Sequence, residues 1–379
     1  MRFFLVVLAL CAINAAPLSA QKLTLAASLP DLEAAVKRDS NDAAAHYNVG
    51  VGYFASHRYD DAERSLRQAL VIEPRFADAW LALSIIRDND EDFWKHVKKE
   101  RGDSAVRQTA EEYGRYYRRA FLIDPLVDMR ILAPTIRVYG SGDLYKGYKA
   151  LVEGRYDEAE ERLAKASEYY DGAIGARGGD WLMWLSAMAA ARASKPDVAI
   201  AELDTLIQHV DSRQGKADSS GFDELDGIEM RQVVAALKQR AGQTDEAIAM
   251  YQEVLARDIG NYMCHVQLAN IYESRREFDR AIAERRRALD TNPDDASLLL
   301  DLGITLGKAG RYAEAAQQLA NAVERNPRDT RSLFWLGMAQ QQAGDRDGAR
   351  TAYTSFIAIA PSRFDRQIQL AHQHLGELK

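Results

Sequence analysis

The sequence repeats itself with a period of 34 residues over positions 228–363. Four units follow one another directly, beginning at residues 228, 262, 296 and 330. Each unit has large apolar residues three and four positions apart, then small residues, and in three of the four units a closing proline. A fixed period of this length indicates a repeat array, in which each unit buries its apolar face only against its neighbours.

The unit that begins at Ala296 shows why the pattern predicts a pair of helices. Leu299, Leu302 and Leu306 recur at helical spacing and form an apolar stripe on a first helix. Gly303 stands beside this stripe, where a small residue allows a second helix to approach closely. The second helix has small residues and one larger residue on its inner face, namely Ala315, Leu319 and Ala322. A proline closes the unit because it lacks an amide donor and disfavours helix in the residue before it.

The same scheme occurs at 43–76 and, less regularly, at 77–125, 140–173 and 180–213. These residues resemble the tetratricopeptide repeat (TPR) family. The resemblance implies an all-α fold, a right-handed α-solenoid of stacked helix-turn-helix repeats. It also implies a protein or peptide partner, no catalytic residue, no metal and no cofactor. Sel1-like and HEAT arrays, the alternative solenoids, have different periods.

The repeats divide the chain into six predicted regions. These are a signal peptide at 1–20, a linker and N-terminal capping helix at 21–42, repeat units at 43–125 with an insertion near 89–112, an irregular repeat-like middle at 126–227 with loops at 171–179 and 211–227, four contiguous units at 228–363, and a C-terminal capping helix at 364–379. The regions leave no span for a separate catalytic domain.

The first twenty residues have the order of a secretory signal peptide: Arg2, an apolar run and then small residues up to Ala20. We expect cleavage after Ala20, with cleavage after Ala16 or a retained anchor as alternatives. The mature protein would then be periplasmic or secreted, without an integral membrane segment. It would keep a single cysteine, Cys264, so no internal disulfide can form.

Composition and motifs argue against several kinds of chemistry. The net charge of −7, with acids and bases interspersed, argues against a nucleic-acid partner. His46 and His265 stand at the same offset of two repeats, which favours structural filling over catalysis. Cys264 is expected to be a buried, unreactive thiol, and the arginines at 285–287 to lie on a solvated, salt-bridged face.

An alternative is an enzyme or cation-binding site in the insertion near 89–112. Carboxylates that could bind a cation are concentrated there, namely Asp88, Asp90, Glu91, Asp92 and Glu100. A charged surface loop explains these residues better than a cation site does.

A second stripe on the first helices is the candidate partner site. By resemblance to the family it lines the concave surface, and it consists of Tyr47, Val51, Phe54, Leu81, Ile85, Val266, Asn270, Leu300, Ile304, Phe334, Met338 and Gln341. Such an apolar groove suits an amphipathic helix or an extended hydrophobic segment. In the alternative interpretation, these side chains pack against adjacent first helices and expose little. The leading hypothesis is a non-enzymatic protein–protein interaction scaffold of the cell envelope.

Tyrosines are concentrated in the irregular middle, where 9 of the chain's 17 lie between Tyr113 and Tyr170. Amphipathic aromatic residues are favoured at interfaces, and sugars stack on them. Tyr116, Tyr145 and Tyr148 are therefore predicted as a second contact surface, and a glycan- or peptidoglycan-binding accessory protein is the alternative function. Tyrosine that fills imperfect joints between damaged repeats is the structural alternative.

Overall fold

The computed structural model describes residues 27–87, 90–124, 127, 142–170, 176–213 and 227–378. The predicted signal peptide, Asp88 and large parts of the loops predicted at 171–179 and 211–227 lie outside the described residues. Within the described residues every regular element is a helix, so the predicted all-α class is confirmed. No described helix is both long and apolar enough to cross a membrane.

The helices are numbered here in chain order. They are α1 (Leu29–Arg38), α2 (Ala43–Ala55), α3 (Tyr59–Ile72), α4 (Ala77–Ile85), α5 (Glu91–Arg101), α6 (Asp103–Ile123), α7 (Asp143–Val152), α8 (Tyr156–Tyr170), α9 (Ala176–Arg192), α10 (Pro196–Arg213), α11 (Gly227–Arg240), α12 (Thr244–Arg257), α13 (Tyr262–Ser274), α14 (Phe278–Thr291), α15 (Ala296–Lys308), α16 (Tyr312–Arg325), α17 (Thr330–Ala343), α18 (Arg346–Ile359) and α19 (Asp365–Glu377), with a 3₁₀ turn at Ser362–Phe364. Within the repeats a first helix packs on the second helix that follows it, as in α2 with α3, α15 with α16 and α17 with α18.

The helices belong to two compact units. The first unit is formed by two segments that are far apart in sequence, Met1–Tyr117 and His265–Lys379. The second unit is the continuous stretch Arg118–Cys264. The repeat period of the sequence does not reveal this division.

Aspartates begin several of the first helices. The side chains of Asp42, Asp295 and Asp329 each accept a hydrogen bond from the backbone amide two residues further on, at the start of α2, α15 and α17. Each bond satisfies a backbone donor that has no partner inside its helix. Asp295 and Asp329 are one repeat period apart, so the start signal recurs with the repeat.

Glycine allows the helices of a pair to approach closely. A Cβ atom on Gly303 would lie 2.5 Å from Leu319 Cγ, and one on Gly337 would lie 2.7 Å from Tyr353 Cε1. Both distances are too short for real contacts. The predicted role of the small residue beside the first stripe is therefore confirmed at these positions.

Apolar side chains of successive repeats form the cores. In the first unit, Leu299, Leu302 and Leu306 pack with Leu319 and Leu336. In the second unit, the cluster between α7, α8 and α9 consists of Ala150, Leu151, Ala159, Leu163, Ala166, Leu182 and Ala189. The less regular repeats of the middle therefore bury small and large apolar residues in the same way as the regular ones.

Candidate protein-binding surface

The apolar centre of the predicted stripe is buried in the C-terminal repeats. Val266, Leu300, Phe334 and Met338 are each at most 6% exposed. Leu300 belongs to the core that includes Leu336, while Phe334 and Met338 pack with Phe356. These side chains fill the space between neighbouring helices, as the alternative interpretation of the sequence expected.

The N-terminal part of the stripe shows the same packing. Tyr47, Leu81 and Ile85 are buried, and the Tyr47 ring centroid lies 5.0 Å from that of Phe76. An open apolar groove is therefore absent at seven of the twelve predicted positions, and there the prediction needs correction. The reason is that adjacent helices of the repeats come close enough to cover these side chains.

The other five stripe residues remain accessible. Asn270 is exposed, whereas Val51, Phe54, Ile304 and Gln341 are half-buried. Three of these residues are apolar and two carry amides. Partner binding by these five residues stays a prediction, on a surface that exposes fewer apolar side chains than the groove expected.

A buried arginine organises the polar residues beside this surface. Arg285 Nη2 donates to Asn270 Oδ1 at 2.7 Å, and its Nε donates to Thr305 Oγ1 at 3.3 Å. The Arg285 Nη1 atom lies 3.5 Å from Asp301 Oδ2. Arg285 is thus an internal tether between α13, α14 and α15, and only Arg286 and Arg287 occupy the solvated face expected for this cluster.

Asp301 carries the negative charge of this network. Burial by itself raises the pKa of its carboxyl, but Arg75 and Arg285 outweigh burial and hold the pKa below its ordinary value. Arg75 Nη1 donates to Asp301 Oδ2 at 2.6 Å, and Arg75 Nε donates to Asp295 Oδ2 at 3.3 Å. Arg75 comes from the N-terminal segment of the first unit, so this carboxylate pair is occupied by the chain's own arginine.

The three tyrosines of the predicted second surface are divided between the two compact units. Tyr116 belongs to the first unit, and Tyr145 and Tyr148 belong to the second. Tyr116 is half-buried, with its ring centroid 5.4 Å from that of Trp80. Tyr148 is buried, and burial raises the pKa of its hydroxyl to about 12. Only Tyr145 is exposed, so the prediction is wrong for Tyr148 because this side chain fills the joint between helices.

A salt-bridge network accounts for Asp90 of the insertion. The guanidinium of Arg87 is 2.6 Å from Asp90 Oδ2 and 2.7 Å from carboxylate oxygens of both Asp60 and Glu63. The same guanidinium lies 4.3 Å from the ring centroid of Phe93. Among the described residues, no group of three or more His, Cys, Asp or Glu side chains is arranged to hold a metal ion. The network ties the insertion to α3.

The two repeat-equivalent histidines make structural contacts. His46 Nε2 lies 3.1 Å from the carbonyl oxygen of Ser40, and burial lowers the pKa of His46. His265 Nδ1 lies 2.7 Å from Glu284 Oε2. Cys264 is a free thiol, 0% exposed, and burial raises its pKa to about 12. The prediction of a buried thiol is therefore confirmed.

Comparisons with known proteins identify the repeat. Models of the tetratricopeptide repeat match residues 43–76, 239–305 and 300–363. A TPR repeat-containing protein of Pseudomonas aeruginosa is 37% identical over 76 residues, which are 20% of this chain and 72% of that protein. The C-terminal part of a TPR repeat-containing protein from Cytophaga hutchinsonii has 16% identity and a TM-score of 0.49, covering 62% of this chain and 87% of that one.

A human protein O-mannosyl-transferase is also similar, with 26% identity over 137 residues, or 35% of this chain. The chain spans only 16% of the length of that enzyme, and the activity in its name is that of the whole enzyme.

The stacked helix pairs and the matched repeats define a helical-repeat protein. The chain belongs to the tetratricopeptide repeat family, as the spacing of its small and apolar residues predicts. Repeats of this family indicate a protein–protein interaction scaffold.

Proposed function

We propose that the protein is a non-enzymatic scaffold of the cell envelope that docks a partner protein on the first-helix face of its repeats. One observation carries the proposal. The predicted stripe is buried at its apolar centre but stays accessible at Val51, Phe54, Asn270, Ile304 and Gln341.

The accessible residues define the chemistry of the partner. The half-buried aromatic and aliphatic side chains offer apolar contacts to a few side chains of a peptide or helix. The amides of Asn270 and Gln341 can each donate as well as accept hydrogen bonds. Their oxygens already accept bonds from Arg285 and Tyr353, at 2.7 and 2.9 Å, which holds each amide in one orientation. A partner segment with exposed carbonyl groups and a few apolar side chains fits this surface.

The scaffold role does not require moving parts or a cofactor. Stacked repeats present an extended surface whose positions are fixed by the packing between neighbours. The glycines at the helix contacts and the buried Arg285 tether fix the first helices of the C-terminal repeats in this way. A preformed surface of this kind loses little conformational entropy when a partner binds.

The envelope location is supported by the residue order of positions 1–20. Fractionation of the native cells and N-terminal sequencing of the mature protein test it. We expect an envelope fraction and a new N-terminus at Gln21. A cytoplasmic protein that keeps its first residues would contradict the location without affecting the scaffold role.

Two matched variants test the docking surface. Phe54→Asp places a charge on the first-helix face, and Phe278→Asp makes the same change at a half-buried phenylalanine that begins a second helix. The tagged mature protein is used to capture partners from an envelope extract. We expect Phe54→Asp to reduce the captured partner at least about tenfold, the loss of about 1.4 kcal/mol of binding free energy, and Phe278→Asp to retain it.

Circular dichroism and thermal unfolding of both variants provide the control for folding. Equal capture by wild type and Phe54→Asp, with both folded, would reject the first-helix face as the docking surface. A large fall in the melting temperature of Phe54→Asp alone would show instead that this side chain belongs to the core.

A further inference from the structure

The two segments of the first unit meet along the loops that connect successive repeats. The loops at 39–42 and 73–76 belong to the N-terminal segment, and those at 292–295, 326–329 and 360–363 belong to the C-terminal segment. The loops within each segment are one repeat period of 34 residues apart. We call this set of loop contacts the seam.

The first N-terminal loop contacts the two last C-terminal loops. Asn41 Nδ2 donates to the carbonyl oxygen of Arg328 at 3.0 Å, and Arg328 Nε donates to Asn41 Oδ1 at 2.9 Å. Asp39 Oδ2 accepts a hydrogen bond from the Ser362 amide at 3.1 Å. Arg363 forms an ion pair with Asp42. The contacts thus consist of one ion pair, between Asp42 and Arg363, and of hydrogen bonds that join Asn41 and Asp39 to the other loop residues.

The second N-terminal loop contacts the repeats one period earlier. Arg75 pairs with Asp295 and Asp301, as described above, and the Glu73 carboxylate lies 3.8 Å from Arg331 Nη1. Asn326 Nδ2 donates to the carbonyl oxygen of Val71 at 3.3 Å. The order of the loops is therefore reversed. The N-terminal loop at 39–42 contacts the C-terminal loops at 326–329 and 360–363, whereas the loop at 73–76 contacts the earlier C-terminal repeats.

In both segments, the loops that form the seam are those that connect the second helix of one repeat to the first helix of the next. Loops from equivalent positions of the repeat interdigitate in antiparallel order, and their side chains bond to backbone carbonyls as well as to each other. The recognition groups are polar, and several of them remain accessible, since Arg328 and Ser362 are exposed. Polar contacts of this kind give an interface specificity through hydrogen bonds and charge pairs.

We propose that the loop edge of the C-terminal repeats is a docking surface for a second copy of this chain, which occupies it by exchanging N-terminal segments. The N-terminal segment of a second copy would make the same contacts as the segment of the same chain, because Asp42 meets Arg363 and Asn41 meets Arg328 in either case. Exchange of identical elements is a low-cost route to dimers. The closed monomer prevails at low concentration, because both segments belong to one chain.

Charge reversal on one side of the seam at a time tests this proposal in the full mature chain. Asp42→Lys brings a cation to Arg363, and Arg363→Glu brings an anion to Asp42. In each variant, like charges therefore repel each other across the seam of the same chain. In a mixture of the two, exchange brings the substituted N-terminal segment of one chain to the substituted C-terminal segment of the other. Opposite charges then meet again in that seam, while the other seam keeps the native Asp42 and Arg363. We expect light scattering after gel filtration to show monomers for each variant alone and twice the monomer mass for the equimolar mixture.

The doubly substituted chain and thermal unfolding provide the controls for this experiment. The chain that carries both substitutions should be monomeric, with wild-type hydrogen exchange at residues 39–42 and 326–329, because it restores the pair in cis. Asp42 also caps α2, so thermal unfolding of each variant is measured first. If either variant is unfolded, the pair Arg75→Glu and Asp301→Lys replaces it. A mixture of folded variants that stays monomeric, or a doubly substituted chain whose seam stays open, would overturn the proposal.

Discussion

Arg75 and Asp301 form a hydrogen-bonded ion pair of 2.6 Å although 226 positions separate them in sequence. Their side chains are 15% and 24% exposed, so water screens the pair less than it screens a surface pair. The contact joins the loop before α4 to the middle of α15. The stability of the first unit therefore depends on a charge that no local sequence pattern connects to its partner.

Replacement of Arg75 by Ala should destabilise the first unit by about 1–3 kcal/mol, because it leaves the carboxylates of Asp295 and Asp301 without this cation. Arg64→Ala is the control, since the Arg64 side chain is 76% exposed and pairs with Asp61 on the same helix, and it should cost less than about 0.5 kcal/mol. Urea unfolding followed by circular dichroism measures both. Equal effects of the two substitutions would contradict a stabilising role for the Arg75 pair.

The pH dependence of the same pair has a defined sign. The pKa of Asp301 is lowered in the folded protein because Arg75 and Arg285 outweigh the effect of burial. The contribution of this ion pair is therefore present above the ordinary pKa of 3.8 and is lost as the pH falls through the lower, folded value. The difference in unfolding free energy between wild type and Arg75→Ala should shrink between neutral pH and pH values below the ordinary one. A constant difference would contradict this origin.

Gly303→Leu should overpack the contact between α15 and α16. The added Cβ alone would come 2.5 Å from Leu319 Cγ, so the helices must move apart, at a cost of about 1–3 kcal/mol. Gly376→Leu in α19 is the matched control, because no atom lies within 4 Å of its added Cβ. Thermal unfolding should show a lower melting temperature for Gly303→Leu only. Unchanged stability of Gly303→Leu would show that the close approach is not required.

Glu202 gives the second unit a pH dependence near neutrality. Burial raises the pKa of its carboxyl to about 7, although Ser186 Oγ donates to Glu202 Oε1 at 2.9 Å and stabilises the ionised form. The nearby Glu160, which pairs with Lys195 at 3.0 Å, adds to the increase. The folded pKa lies above the ordinary 4.5. The contribution of the protonated Glu202 carboxyl to folding stability is therefore full below about pH 4.5 and is lost as the pH rises through about 7.

The substitution Glu202→Gln removes this titration. At pH 8 we expect the variant to be more stable than wild type, by about 1–3 kcal/mol, whereas at pH 5 the two should be nearly equal. The exposed Glu168→Gln is the control and should leave the profile unchanged. Denaturant unfolding at the two pH values measures these differences. A wild-type stability that does not fall between pH 5 and pH 8 relative to Glu202→Gln would contradict the raised pKa.

Cys264 should be inert in the folded protein. Its side chain is fully buried, and burial raises the pKa of the thiol to about 12, so very little thiolate is present at neutral pH. We expect no reaction with Ellman's reagent within minutes in native buffer and one thiol per mature chain in guanidinium chloride. Rapid native labelling would show an accessible thiol and contradict the packing of α13.

The sequence predicts the repeats well where one period determines the contact. Gly303 and Leu319 lie within one unit, and their packing follows from helical spacing and residue size. The burial of Cys264 likewise follows from its position within a repeat helix. These features need only the geometry of a single helix pair and of its nearest neighbour.

The candidate surface is harder to predict, because burial depends on how closely adjacent repeats approach. Leu300 and Ile304 are four residues apart on the same helix, yet Leu300 is buried and Ile304 is half-buried. The periodicity assigns both to one stripe and does not give the depth of each. The pairing of Arg75 with Asp301 depends on contact between distant segments. The solvated face predicted for Arg285 is wrong because its partners lie on two adjacent helices, α13 and α15.

The central claim, that a protein partner docks on the first-helix face, is tested most directly by hydrogen–deuterium exchange of the mature protein with and without its captured partner. We predict slower backbone amide exchange near the accessible stripe positions, which are Phe54 in α2, Asn270 in α13, Ile304 in α15 and Gln341 in α17. The exchange of the second helices α14, α16 and α18 should not change. Protection confined to the second helices, with the first helices unchanged, would contradict the account.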